Sequence, residues 1–560
     1  MGKNLYPLDN SQRETVRTEI NSSMVVEAGA GTGKTTLLVD RIISLIENFS
    51  INDIAAVTFT EKAAGELIER LRGKIEERLF DDGREGISLK MRKVLDEIDT
   101  AQVSTIHSFA RTIVHERAIE AGLDPEISMI EPDAEKVLVN DIINSELLKK
   151  DSKRDLWLKR FIHLNGRFDD LRELVSVLYQ NRDLLDGYVK ESGTLSFQDV
   201  VSHTVQQVEK LANTARQNCF NQTDPGRIQI LDIESAKPQS EKPNESEAIG
   251  WLLKVSSLSP NKGAQKNWTN KEICRQQKAN LKALKSDTSE NVDSLRRETL
   301  ELIIEWVKNL TERVNDEKRI QGKIGFQDLL IEARNLLLDP NIQRDFHSRY
   351  KRLLIDEFQD TDPLQVEIAM LLAAQRAEES NAFEHNLEPG KVCLVGDPKQ
   401  SIYRFRRADP DIYGAAVKQV IKTGRKVEIT QNFRSSPGIV NFINLFFEKV
   451  WDYANAGTIT YRAITPDPRR PVSQPSPPVV ILFPAENWDP GSAKADEIRA
   501  AEADALSMLI KQAHSDPEWK VYKKNETKFA SPQWSDFAIL FQTVTGIDLY
   551  ADALNRLNIP

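Results

Sequence analysis

Ala28-Gly29-Ala30-Gly31-Thr32-Gly33-Lys34-Thr35-Thr36 decides the fold class of this 560-residue chain. It follows the short apolar run Ser23-Met24-Val25-Val26-Glu27 and opens the helix-periodic stretch Thr35 to Glu47. A glycine-rich turn between a strand and a helix lets backbone N–H groups close around phosphates, and the helix N-terminus adds favourable partial charge. Lys34 is placed to reach the β- and γ-phosphates, and the Thr35 hydroxyl to ligate Mg²⁺. The strict pattern has Gly where Ala28 stands. The bland alternative is a glycine turn with a chance Gly-Lys-Thr, and the flanking strand and helix weigh against it.

Beyond this loop, Asp53 to Thr58 reads as a second strand and Glu61 to Leu79 as a helix, the alternation of a parallel α/β sheet. From about Phe109 to about Tyr350 charged stretches with Leu, Ile and Val at helical spacing take over, which predicts a mostly helical insertion. Its Lys/Arg-rich part, Asn261 to Lys285, reads as a solvated helix face or a nucleic-acid surface. Strands return at Arg352–Ile355, Val392–Val395 and Val427–Thr430. Pro466 to Pro478 reads as an extended connector, followed by strand-like Val479–Phe483 and Phe537–Phe541. The last ten residues, ADALNRLNIP, read as a helix heading into a further strand.

Leu353-Leu354-Ile355-Asp356-Glu357-Phe358-Gln359-Asp360 supplies the other half of a nucleotide site. An apolar strand ending in two carboxylates puts both at the C-terminal sheet edge, where α/β folds bind ligands. Asp356 is expected to hold Mg²⁺, and Glu357 to orient and deprotonate an attacking water. Alone, such a pair is also consistent with a solvated acidic strand end.

Composition sets limits. Hydrophobic residues are 40% and charged residues 29%, a globular balance, and no apolar run is long enough to span a bilayer. The polar start MGKNLYPLDNSQRE lacks a signal-peptide core, and Tyr6 occupies the position where myristoylation needs Ser or Thr. A cytoplasmic location is expected. The three cysteines, Cys219, Cys274 and Cys393, form no C-x-x-C pair and the seven histidines are scattered, which argues against a dedicated transition-metal or disulfide framework. The net charge of −10 excludes binding nucleic acid through bulk charge, leaving local contact in a groove.

Asp356-Glu357-Phe358-Gln359-Asp360-Thr361 resembles the acidic motif of superfamily 1 helicases of the UvrD/Rep/RecB/AddA type. Further segments resemble that family's motifs in order: Leu8 to Gln12, Thr58 to Ala64, Ser104 to Phe109, Gly325 to Leu330 before the acidic motif, Gly396 to Phe405, and Thr430 to Ser435. The resemblance implies a RecA-like P-loop NTPase domain with a helical insertion and a partial second RecA-like domain. The expected boundaries are 1–108 and 346–426 for the first domain, 109–345 for the insertion and 427–560 for the second. It also implies that Gln12 reads adenine, Phe433 packs near it, Gln400 senses the γ-phosphate and Arg434 acts as an arginine finger. Phe59, Thr60, Tyr403 and Phe405 would contact single-stranded DNA, and His107 would couple or position, a plain structural role being equally open.

The wording around Glu61 and Gly396-Asp397-Pro398-Lys399-Gln400, with the large insertion, is closest in style to RecB/AddA, the exonuclease V beta-like members. Arg407 departs from the Gly that many relatives have there. The family implies an ATP- and Mg²⁺-dependent DNA helicase moving 3′ to 5′ in repair or recombination, with a partner subunit in a helicase–nuclease complex. No nuclease site is found in these residues, and the family's two last motifs are not found either. Weak nucleotide binding and poor hydrolysis by the chain alone are therefore expected. A DNA- or protein-binding module that keeps the fold without turnover, and an unrelated P-loop NTPase, are the competing readings.

Overall fold

The computed structural model describes residues 8–81, 85–185, 187–188, 196–240, 243–376, 383–451, 460–470, 479–482, 494–523 and 528–560. The chain divides into two compact units, one formed by Met1–Thr112 with Ala333–Pro560 and the other by Ile113–Glu332.

The first unit is built on a six-stranded sheet. Its strands are β1 (Ser23–Ala28), β2 (Ile54–Thr58), β3 (Gln102–Thr105), β4 (Arg352–Ile355), β5 (Val392–Gly396) and β6 (Gly424–Ile429). Their order is β3-β2-β4-β5-β1-β6, and every pairing is parallel. Parallel sheets are covered on both faces, and β2 and β5 are buried along their whole length. The core joins Met24 and Val26 of β1 and Ala56 of β2 to Leu354 of β4 and Val395 of β5. Leu38, Ile42 and Ile46 of α2 (Lys34–Ile46) close over them. β1 and β4 flank β5 and run the same way, so the glycine loop after β1 and the acidic pair after β4 emerge at one sheet edge.

Val427–Thr430 was expected to open a second domain. Val427 to Ile429 instead lie in β6, which runs along β1 with Ile429 opposite Ala28. β1 has an open side there, and Val427 and Ile429 add their side chains to the same core. The strands expected at Val479–Phe483 and Phe537–Phe541 are not formed by the described residues 479–482 and 537–541. An apolar run becomes a strand only when a neighbour takes its hydrogen bonds, and Ile481, Leu482 and Leu540 stay exposed. Residues 471–478 of the expected connector, Phe483 and the residues before Leu8 lie outside the described set.

The second unit is helical apart from a short parallel pairing of Ser128–Met129 with Lys323–Ile324. Its spine is the 50-residue helix Lys271–Ile320, about 75 Å long at 1.5 Å per residue. The first half packs Leu281, Leu284 and Val292 into a core with Trp251 and Leu252; the second packs Ile303, Val307 and Val314 against Trp157 and Val175. In the Lys/Arg-rich stretch, Lys278 donates to the Asn261 and Gly263 carbonyls (3.1 and 2.8 Å) and Lys285 to that of Leu258 (2.9 Å). Those two lysines fasten the helix to the loop before it. Near the other end, Lys318 and Arg182 converge on the buried Asp328, and Lys318 also meets Glu135 at 3.0 Å. Burial would raise the Asp328 pKa, but the two cations together hold it below the usual carboxylate value.

Candidate nucleotide and nucleic-acid site

The loop between β1 and α2 turns through two left-handed glycines, Gly31 at φ 70° and Gly33 at φ 81°, a conformation that costs a side-chain-bearing residue strain. Inside it Thr32 Oγ1 donates to the Gly29 carbonyl at 2.7 Å. Arg13, on α1 (Asn10–Thr18), donates to the Thr32 carbonyl at 2.6 Å. Lys34, Thr35 and Thr36 form the first turn of α2, and Lys34 Nζ lies 2.6 Å from Glu357 Oε2.

Glu357 itself is left-handed, with φ 50°. The turn at the end of β4 sets it apart from Asp356, whose Oδ1 accepts from the Glu357 N–H at 3.0 Å. Asp356 is buried, and burial, with the Glu357 charge next, pushes its pKa up to about 6 against the opposing pull of Lys34. Asp360 is pushed up to about 6 by the same two causes in the same order. The sequence reading of Lys34, Asp356 and Glu357 as neighbours thus matches their positions.

Gln359 ties these groups to the next strand. Its Nε2 donates to Glu357 Oε2 and to Asp360 Oδ2, both at 2.9 Å, while its Oε1 accepts from the Asp397 N–H at 2.9 Å. Gly396 makes room for this, because a Cβ there would stand 2.5 Å from Gln359 Oε1. Gln400 does not hydrogen-bond Glu357 among the described residues; its Nε2 donates to Asp397 Oδ2 at 2.8 Å.

The segment after β6 lies directly on the glycine loop. Asn432 Nδ2 donates to the Ala30 carbonyl at 2.6 Å and the Phe433 N–H to that of Gly31 at 2.8 Å. The Arg434 N–H is held by Asn432 Oδ1 at 3.0 Å. The buried Asp9 carboxylate secures this segment from below, accepting from Thr430 N at 3.1 Å and Gln431 N at 2.7 Å. The Phe433 ring has the Arg13 guanidinium 5.3 Å and the Arg469 guanidinium 5.7 Å from its centroid. Asp467 grips Arg469 from the other side, accepting from Nε at 2.9 Å and from Nη2 at 2.8 Å. Gln12 is exposed on α1 and accepts from its neighbour Ser11 at 2.8 Å.

An aromatic group follows β5. Tyr403 lies 5.0 Å from Phe59 and 5.6 Å from Phe405, with the Arg406 guanidinium within about 6 Å of all three rings. Phe405 is 78% exposed, a costly position for an apolar ring and a ready stacking surface. Thr60 is exposed and caps α3 (Glu61–Asp81), its Oγ1 accepting from Ala63 N at 3.1 Å. Glu61 accepts from Thr105 and Ser108, each at 2.8 Å, which joins the ends of β2 and β3. His107 is largely covered, and burial lowers its pKa.

Asp9, Arg13, Gln359, Asp397, Asp467 and Arg469 escaped the sequence reading. Asp9, Gln359 and Asp397 stand within quoted motifs and Arg13 directly follows one, which was a signal; Asp467 and Arg469 had none.

Fold and site together define an α/β protein that sets a lysine and two carboxylates at the edge of a parallel sheet, over a left-handed glycine loop. The chain belongs to the UvrD/REP helicase family, whose N-terminal domain model matches residues 8–420. It is similar to proteins named as the AddA component of an ATP-dependent helicase/nuclease. The relative in Listeria welshimeri is 24% identical over 96% of this chain and 47% of its own length. Those in Listeria monocytogenes and Natranaerobius thermophilus are 25% and 26% identical, over 100% and 95% of this chain and 50% and 46% of theirs. The chain spans about half the length of these curated relatives. No described helix is long and apolar enough to cross a membrane.

Proposed function

We propose that this chain is the ATP-hydrolysing, DNA-tracking helicase part of a longer helicase–nuclease, working with DNA and a partner subunit. The observation that carries this is the 2.6 Å pair of Lys34 and Glu357 at one sheet edge, in a chain of this family. In this reading the first motor domain is RecA-like and carries a helical insertion within residues 109–345. A second motor domain begins beyond β6, and travel is 3′ to 5′ as in the family resemblance. The cytoplasm is the expected compartment, and we assign no nuclease role to these residues.

The loop Ala28 to Thr36 encloses the phosphates with its N–H groups, and Lys34 leaves Glu357 to neutralise their charge. Glu357 is then free to accept a proton from the attacking water. Gln400 and Arg434 are assigned to the γ-phosphate, Arg434 lying beside the loop through its own backbone. Gln12 and Phe433 are assigned to the base, with Arg13 and Arg469 beside the ring. Phe59, Thr60, Tyr403 and Phe405 are assigned to stacked or backbone contact with single-stranded DNA, and His107 to positioning.

The residues fit Mg²⁺. Thr35 and Asp356 offer hard oxygen donors, and the raised pKa of Asp356 marks a buried carboxylate short of positive charge. Among the described residues no cluster of three or more His, Cys, Asp or Glu could hold a metal alone, so phosphate oxygens would complete the shell. When bound, the ion supplies charge neutralisation on the phosphates.

The test is ATP hydrolysis with and without single-stranded DNA, on this chain and on one extended to its relatives' length. DNA-stimulated turnover that Lys34→Ala removes and Glu357→Gln lowers by about 10²- to 10⁴-fold is expected. Absence of stimulation in both forms would favour a binding module that keeps the fold without turnover.

A further inference from the structure

We propose that Gln359 is the positioning residue through which nucleic acid on the Phe59–Tyr403–Phe405 face and nucleotide at Lys34 sense one another. The inference rests on the helicase reading above and adds the route of coupling.

The Gln359 side chain is buried, and both ends of its amide are engaged. The donor end holds Glu357 Oε2 and Asp360 Oδ2; the acceptor end holds the Asp397 N–H. Its own carbonyl accepts from Ser401 Oγ at 3.0 Å. Gln359 and Lys34 share the same Glu357 carboxylate oxygen, so whatever turns the amide alters the group that phosphate must release.

On the other side, Asp397 opens the segment that ends in Tyr403 and Phe405. Its carboxylate anchors that segment, accepting from the Lys399 N–H at 3.1 Å, from Lys399 Nζ at 2.9 Å and from Gln400 Nε2 at 2.8 Å. A base stacking on Tyr403 and Phe405 pulls on this braced turn, and the turn's first N–H sits on the Gln359 acceptor. A primary amide is planar, so moving its oxygen moves its nitrogen. The Gly396 position leaves the oxygen nowhere to retreat without displacing backbone, because Gln359 Oε1 already fills the space of the missing Cβ. Few side chains carry donor and acceptor on one rigid group. Methionine matches the length with neither, and glutamate keeps the acceptor only.

The experiment is equilibrium binding of a fluorescein-labelled oligothymidylate, with and without Mg²⁺ and a non-hydrolysable ATP analogue, on the parent, Gln359→Met and Gln359→Glu. Coupling between sites is reciprocal and typically shifts affinity about fivefold or more. The parent is expected to change its oligonucleotide Kd by at least about fivefold on adding nucleotide, and both variants by less than about twofold. Matched thermal melts separate lost coupling from lost fold, and if Gln359→Met fails to fold, the isosteric Gln359→Glu decides. A full nucleotide effect retained in the folded variant overturns the proposal, as does a parent that binds both ligands with no mutual effect. A parent that binds no oligonucleotide overturns the helicase reading itself.

Discussion

Arg407 holds a left-handed backbone, φ 69°, at the end of the aromatic segment. That explains its departure from the family's glycine: the position asks for a residue free at positive φ, and an arginine there bears a cost of about 1–2 kcal/mol. Arg407→Gly should stay within about 1 kcal/mol of the parent, its gain offset by unfolded-state entropy. Arg407→Val should lose about 1–2 kcal/mol, and urea midpoints distinguish the two. Lys391 gives a pH test. It is buried beside β5, donates to the His347 carbonyl at 2.5 Å, and burial lowers its pKa to about 7. Between that value and the ordinary lysine pKa the unfolded chain binds the extra proton, so stability rises with pH across this window. Below about pH 7 both states are protonated and the cost of burying the charge is fully present. Lys391→Met should therefore flatten the rise in urea midpoint between about pH 7 and pH 10. Residues such as Lys34 and Glu357 were legible because their neighbours in sequence form a pattern. Gln359 was quoted within a motif, yet its partner Asp397 sits on another strand's end, and no local spacing announces that bond.

At the level of elements, the Asp328 cluster makes the strongest prediction. Asp328→Asn leaves Arg182 and Lys318 buried without their shared anion, and breaking such a group costs about 3–5 kcal/mol. Loss of that size in chemical denaturation of the folded chain is expected. Asp328 lies in Gly325-Phe326-Gln327-Asp328-Leu329-Leu330, read from sequence only as a family segment; its partners Arg182 and Lys318 come from two other helices. The strands β1, β2, β4 and β5 could be read in advance because continuous apolar runs beside turn signals suit a strand buried on both faces. The run at Val427 was legible as a strand but not as a partner of β1, since nothing in its own composition names its neighbour. Val480 to Leu482 and Phe537 to Phe541 carry the same composition and are not strands. Apolar content states what a segment would bury, and pairing depends on an edge being on offer.

For the molecule as a whole, a net charge of −10 and a cluster of rings with one guanidinium among them point to DNA held by stacking. Affinity for single strands should therefore fall gently with salt, with a log–log slope shallower than about −3, since each neutralised phosphate contributes about 0.7. Phe405→Ala should weaken binding by about 1–3 kcal/mol at every salt concentration, measured by fluorescence anisotropy. The division of the chain into an α/β unit and a helical one was visible in the change of periodicity near Phe109. The long helix was not visible as one piece, because its two halves bury different partners and its hydrophobic stripe shifts accordingly. The short parallel pairing of Ser128–Met129 with Lys323–Ile324 has one more consequence. It brings the way in and the way out of the helical unit side by side, like the two posts of a doorway. Whatever is built beyond the posts can grow, shrink or be exchanged without changing the gap it must bridge, so that unit is a natural cassette for evolution and for engineering alike.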